Sequence, residues 1–152
     1  MQTIPQKFKE TVARFPHRPA LKFKYQGAYL SITFSELLQR VETLAQGLRS
    51  LGVVKGSKVA ILSENRSEWV RTDLAALTLG AITIPLHTTL SAKIIKHILS
   101  DSDSEFILVS NQDLLNKLLL SIHDLPTLRV IICIQPLQLP NGEVTKKNDD
   151  PG

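Results

Sequence analysis

The chain has 152 residues, of which 43% are hydrophobic and 21% are charged, a length and a balance that fit one globular domain. Its net charge of +4 is scattered, with no basic run of the kind that binds nucleic acid, so no nucleic-acid partner is expected. No apolar run reaches the length of a membrane span, and the first residues contain no apolar core of signal-peptide length. With Cys133 as the single cysteine, these features predict a cytoplasmic protein.

Local signals predict the first two elements of the chain. Thr3 can cap a helix that runs to about Arg14, and Gln6 completes a capping box. The stretch "ALKFKYQGAYLSI" then alternates apolar and polar residues on both sides of Gln26-Gly27, which is typical of a β-hairpin.

The strongest predicted helix begins after Thr33 and ends before Gly52. Thr33 and Glu36 form a capping box, and apolar residues follow at helical spacing. The glycines of "GVVKGSK", residues 52–58, do not match a phosphate-binding loop, because they follow a helix and precede a strand. We interpret this stretch as a helix C-cap followed by a turn.

The rest of the chain repeats a strand followed by a helix. The predicted strands cover residues 58–63, 81–85, 105–109 and 128–134, and the predicted helices cover residues 66–79, 91–100 and 111–123. The strands are apolar at consecutive positions, which indicates a parallel sheet buried on both faces. The predicted fold class is α/β: a mainly parallel sheet with flanking helices, plus the N-terminal helix and β-hairpin.

The character of the sequence changes near residue 135. Residues 135–152 are rich in proline, glycine and charge without an apolar period, so we predict a polar linker or tail after a domain of residues 1–134. Cys133, within "RVIICI", is expected to be buried among apolar residues. The acidic stretch "DSDSE", residues 101–105, lacks the glycine and the distant glutamate of a calcium loop and is interpreted as a polar turn.

Candidate functional residues are few. The four histidines lack metal-ligand spacing, and no serine lies in a nucleophile elbow, so we predict no catalytic residue and no metal ligand. In the turn after the strand at 58–63, Asn65 can cap the next helix with Glu68 at the third position. His87, followed by Thr88 and Thr89, lies at the carboxyl end of a predicted strand, where ligands approach α/β sheets. These three residues are the candidates for a wall on the substrate side.

Three motifs resemble those of the adenylate-forming enzymes. "ITFSEL", residues 32–37, resembles the first core motif of that family, and "LTLGAITIPLHTTLS", residues 77–91, resembles the second. "SENRSEW", residues 63–69, is similar to the long-chain fatty acyl-CoA synthetase branch. The chain therefore resembles the N-terminal part of an AMP-forming acyl-CoA synthetase. It departs from the family at residues 87–89, where His-Thr-Thr stands in place of the frequent Tyr-Pro-Thr.

The resemblance implies a reaction whose machinery these residues only partly supply. Full-length members use ATP, Mg²⁺ and coenzyme A to convert a fatty acid into acyl-CoA, AMP and pyrophosphate. Their phosphate loop, which ends in Pro-Lys-Gly, and their C-terminal lysine have no counterpart here. We therefore expect an N-terminal fragment of a long-chain fatty acid–CoA ligase that is inactive alone and binds no cofactor.

The same resemblance implies partners. The remaining C-terminal part of the synthetase, as a separate chain, is the expected protein partner, and a fatty acid is the ligand of the complete enzyme. The full-length form is expected in the cytoplasm, with peripheral membrane association left open. Two alternatives stay open as well: a non-catalytic α/β binding module, and one subunit of a split synthetase.

Overall fold

Helices and strands alternate along the computed structural model, which describes residues 2–135. The helices are α1 Ile4–Arg14, α2 Phe34–Ser50, α3 Ser67–Thr78, α4 Ala92–Asp101 and α5 Gln112–Leu119, and a 3₁₀ turn follows at Ile122–Asp124. The strands are β1 Pro19–Tyr25, β2 Ala28–Thr33, β3 Lys58–Leu62, β4 Ile82–Leu86, β5 Phe106–Val109 and β6 Val130–Cys133. The predicted α/β class is confirmed. The tail predicted for residues 135–152 lies outside the described residues, apart from residue 135, and its boundary stays a prediction.

The described chain divides into two units, and the first comprises residues 2–57 and 65–83. It contains α1, the β1–β2 hairpin, α2 and α3. The predicted hairpin is confirmed: the strands are antiparallel, and Gln26 and Gly27 form the turn with φ angles of 46° and 85°. Positive φ at both turn residues is the geometry that matches the twist of two-residue hairpins, and glycine supplies one of them without steric cost.

Helix α2 begins with the predicted capping box. The Thr33 side chain accepts a hydrogen bond from the Glu36 amide at 3.3 Å, and the Glu36 carboxylate accepts one from the Thr33 amide at 2.7 Å. The hydrogen bond from the Thr33 backbone holds the pKa of Glu36 below its usual value, and the one from the Thr33 hydroxyl adds to the effect. The helix ends at the predicted C-cap, where Gly52 has φ 99° and the Val53 amide bonds the Leu48 carbonyl.

Removing the cap should weaken α2 even as an isolated peptide, because both partners lie in the same turn. We expect a peptide of residues 31–53 with Thr33→Ala to lose helicity, reflecting about 1 kcal/mol of lost capping. Because the folded pKa of Glu36 is lowered, its contribution is present above the pKa of the unfolded peptide and disappears as pH falls through the lowered value. Circular dichroism across that pH range measures both effects. Gln46→Ala, an exposed change in the same helix, is the control, and equal helicity of the Thr33→Ala and parent peptides at every pH would contradict the prediction.

The second unit, residues 58–64 and 84–135, contains the parallel sheet apart from the first two residues of β4, and the strand order is β4-β3-β5-β6. Val59 of β3 lies opposite Phe106 of β5, and Phe106 lies opposite Val130 of β6, both in parallel register. The two middle strands are buried almost throughout, as predicted, whereas β4 and β6 are partly exposed. The prediction of burial on both faces is therefore wrong for the edge strands. Cys133, expected to be buried, is half-buried because it lies on β6, and this partial burial raises the pKa of its thiol.

Helices α4 and α5 supply apolar faces to the core of this second unit. The buried residues of the core are Ala60, Leu62, Leu86, Ile95, Leu99, Ile107, Val109, Leu114, Leu115, Leu118 and Leu125. The turn predicted at residues 101–105 is present, with Asp103 at φ 50° and the Ser104 amide bonded to the Leu99 carbonyl. Within residues 2–135, no helix has both the length and the apolarity needed to cross a bilayer.

Candidate functional site

Polar residues gather where the strands of the second unit end. Ser63 and Glu64 follow β3, Ser110 follows β5, and His87 follows β4. The carboxyl ends of parallel strands share one edge of a sheet, and ligands of open α/β sheets bind outside that edge. We call this region the carboxyl edge; its described turns are residues 63–64, 87–90 and 110–111.

The Glu64 carboxylate joins two of these turns. It accepts hydrogen bonds from the hydroxyl of Ser110 and from the side-chain amide of Asn111. Ser110 is fully buried, whereas Glu64 is exposed to solvent on its other side. The side-chain oxygen of Asn111 accepts a hydrogen bond from the Leu114 amide at 2.9 Å and so caps α5. One carboxylate therefore fixes both the end of β5 and the start of the helix that follows it.

The third turn is held from the other end of α5. The Lys117 ammonium donates to the backbone carbonyls of Thr88 at 2.8 Å and Leu90 at 3.1 Å. Within the turn, the Leu90 amide bonds the His87 carbonyl at 3.2 Å, and Ser91 caps α4 by accepting from the Ile94 amide. Helix α5 thus contacts the turns after β3 and β4, one at each end.

The predicted wall residues lie in the turn that Lys117 holds. His87 and Thr89 are exposed, and Thr88 is half-buried. Their position at the carboxyl edge agrees with the sequence-based expectation, but a role in facing substrate stays a prediction. The contacts of Glu64, Ser110, Asn111 and Lys117 were not predicted from the sequence. A usable signal was available, because a buried apolar strand leads into polar residues both at "VAILSEN" and at "FILVSNQ".

The predicted cap of α3 is wrong. Asn65 is exposed, the helix starts one residue later than the predicted register requires, and Arg66 is its N-cap without a side-chain hydrogen bond. The Glu68 carboxylate bonds the Arg66 guanidinium at 3.3 Å and pairs with Arg71 at 3.4 Å instead of reaching back to Asn65. Partial burial opposes ionisation of Glu68, but its own backbone N–H and the charge of Arg66 outweigh it, so the pKa of Glu68 is lowered.

The turns after β3 and β5 do not form a phosphate loop. Phosphate loops present glycine-rich backbone N–H groups, and the turns at residues 63–66 and 110–111 contain no glycine. The Leu114 amide at the start of α5 already has a partner in Asn111. Within residues 2–135, no cluster of three or more His, Cys, Asp or Glu side chains could hold a metal ion. No step of phosphate chemistry is therefore assigned to the turns of the carboxyl edge.

The two units and the parallel sheet define an α/β protein of the class found at the N-terminus of adenylate-forming enzymes. The family described as "AMP-binding enzyme" matches residues 8–152, and the chain belongs to that family. The likeness to an acyl-CoA synthetase deduced from the sequence is thereby confirmed.

The chain is similar to a curated long-chain-fatty-acid–CoA ligase and to two solved structures. The chain is 33% identical over 135 residues to the long-chain-fatty-acid–CoA ligase heimdall of Drosophila melanogaster, covering 86% of this chain and 20% of that protein. Its fold superposes on the crystal structure of a putative long-chain-fatty-acid CoA ligase from Rhodopseudomonas palustris with a TM-score of 0.78 at 30% identity, covering 88% of this chain and 33% of the other. The N-terminal subdomain of NpsA from Klebsiella oxytoca gives a TM-score of 0.67 at 29% identity, covering 72% and 28%. The chain therefore spans about a fifth of the curated relative's length.

Proposed function

We propose that this chain is the N-terminal part of an ATP-dependent long-chain fatty acid–CoA ligase, which converts a fatty acid, ATP and coenzyme A into acyl-CoA, AMP and pyrophosphate. The observation that carries the proposal is the 33% identity to the Drosophila melanogaster ligase over 135 residues. The superposition on the Rhodopseudomonas palustris protein supports it independently at the level of fold. ATP, Mg²⁺ and coenzyme A belong to the full-length enzyme in this proposal, as does its cytoplasmic location.

Within that enzyme the chain contributes shape rather than chemistry. His87, Thr88 and Thr89 form part of the wall that faces the acyl substrate, because they follow β4 at the carboxyl edge. Phosphoryl chemistry depends on positioned cations, backbone donors and metal, and in this proposal the rest of the enzyme supplies them. The 152 residues alone are therefore inactive, and the remaining C-terminal part, supplied as a separate chain, is the partner that restores activity.

The proposal predicts that acyl-CoA is formed only when this chain and the remaining part of a ligase are present together. The purified chain is expected to give no fatty-acid-dependent exchange of pyrophosphate into ATP. Mixed with the Drosophila melanogaster ligase from which the matching N-terminal segment has been deleted, it is expected to restore acyl-CoA formation. Radiolabelled pyrophosphate exchange and thioester formation measure the two steps.

The positive control is the Drosophila ligase's own N-terminal segment, added in trans to the same deleted protein. If that segment restores activity and this chain does not, the proposed function fails. Exchange by the pure chain would also contradict the proposal, because it would place the ATP-binding groups within these 152 residues.

A second candidate is a stand-alone, non-catalytic α/β binding module. One observation favours it: the edge strand β4 contains Pro85, and proline lacks the N–H through which another strand would pair. The opposite edge, β6, has the sequence VIIC without charge or proline, and among residues 2–135 it pairs on one side only. A monomeric, cooperatively unfolding chain that fails in the mixing experiment would favour the module over the ligase fragment.

A further inference from the structure

The turn between β4 and α4 carries the proposed wall, and it is held at Leu90, which packs against the core of the second unit, and by hydrogen bonds to its backbone. His87 and Thr89 are exposed, so packing does not define their positions. The backbone is closed by the hydrogen bond from the Leu90 amide to the His87 carbonyl at 3.2 Å. The carbonyls of Thr88 and Leu90 both accept from one donor, the ammonium of Lys117.

Lys117 comes from a helix that is itself firmly placed. Leu114, Leu115 and Leu118 of α5 are buried in the core of the second unit, and the helix start is capped by Asn111. Lys117 is half-buried and lies 29 residues from Thr88 in sequence, so the contact joins distant parts of the chain. Hydrogen bonds from an ionised donor are stronger than those between neutral groups, and two carbonyls on one ammonium define a position better than one.

We infer that Lys117 is a positioning residue for the acyl-substrate wall, acting through the backbone carbonyls of Thr88 and Leu90. The effect on the acyl-substrate wall rests on the proposed function, whereas the contact between Lys117 and the two carbonyls is a feature of the structure. Lys117 holds the turn at residues 87–90 in one conformation, and the turn presents His87 and Thr89 at the carboxyl edge. The lysine has no need to contact the substrate.

An ordinary surface lysine provides the contrast. Lys93, on α4 in the same unit, is exposed, whereas Lys117 is half-buried with its ammonium between two carbonyls. Lys117→Met keeps most of the apolar stem and removes only the charged donor. Lys117→Arg keeps a charged donor that can also reach carbonyl oxygens. Lys93→Met is the matched control for loss of a lysine charge.

The first measurement is amide hydrogen exchange in the 152-residue chain. We expect Lys117→Met to speed exchange of the Leu90 amide by about tenfold, because the turn opens once its charged donor is lost. Exchange in β5 should stay unchanged, which separates loss of the turn from unfolding. In Lys117→Arg the exchange rate of the Leu90 amide should lie within about threefold of the parent rate. In Lys93→Met that rate should equal the parent rate. Unchanged Leu90 exchange in Lys117→Met, or a similar increase in Lys93→Met, would overturn the inference.

The second measurement uses the mixture with the deleted Drosophila melanogaster ligase and hexadecanoic acid as the probe. Lys117→Met should raise the KM for the acid several-fold while leaving the KM for ATP and kcat nearly unchanged, with recovery in Lys117→Arg. A uniform loss of kcat without a change in the KM for the acid would indicate a structural role only and would overturn the assignment. If the parent mixture is inactive while the Drosophila ligase's own segment restores activity, the proposed function fails, and the exchange experiment still decides whether Lys117 positions the turn.

Discussion

Phe106→Ala is expected to abolish most of the stability of the sheet unit. Phe106 is fully buried on β5, where it lies opposite Val59 on one side and Val130 on the other. Because the Phe106 side chain is fully buried, its removal leaves a cavity that the surrounding structure closes only in part. Replacing a buried phenylalanine by alanine costs about 3–5 kcal/mol, a large share of the stability of a domain of this size.

Amide exchange in β3 and β5 measures this loss directly. A cost of that size corresponds to a fall in protection of about 100-fold or more, or to the level of an unfolded chain if the unit is less stable than that. Ile94→Ala is the control, since Ile94 is apolar, lies in the same unit and is 47% exposed. Similar protection in the two variants would show that the buried Phe106 side chain contributes no more to stability than the exposed Ile94 side chain.

The elements that the sequence predicted best are those whose causes are local. The capping box at Thr33 and Glu36 joins residues within a single turn, and the Gln26-Gly27 turn is set by backbone preferences at two adjacent positions. Their geometry follows from neighbours in sequence. The capping box and the hairpin turn can therefore be located without knowledge of the tertiary structure.

The edge and middle strands show where local reasoning stops. The runs "VAIL" and "VIIC" are similarly apolar, yet the first belongs to buried β3 and the second to half-buried β6. The difference comes from the strand order β4-β3-β5-β6, in which β3 lies between strands that are distant in sequence. Hydrophobicity predicts that a strand is buried on its faces, but only topology decides which strands have two neighbours.

The carboxyl edge was predictable as a place but not as a set of contacts. The rule for open α/β sheets indicated the turn after β4, and His87 was found in this way. Glu64 and Ser110 are 46 residues apart, and no spacing rule connects them. The failed prediction for Asn65 has the same origin, because the Arg66 and Arg71 guanidinium groups engage the carboxylate of Glu68 that the capping box required.

Glu64 should have a measurable structural role of its own, because its removal leaves a buried group without its partner. The Ser110 hydroxyl is fully buried and donates to the Glu64 carboxylate, and Asn111 donates to the same carboxylate. A buried polar group that loses its hydrogen-bond partner costs about 1–3 kcal/mol, whereas removing both partners together can be nearly neutral. The pair therefore suits a double-mutant cycle.

We expect Glu64→Ala to lower the opening free energy at the carboxyl edge by about 1–3 kcal/mol, read from exchange of the Ser110 and Leu114 amides. In Ser110→Ala the loss should be smaller, because the carboxylate keeps Asn111 as a donor and remains open to solvent. The double variant should be less destabilised than the sum of the single ones, by a coupling energy of at least about 0.5 kcal/mol. Strict additivity would mean that the hydroxyl and the carboxylate contribute independently.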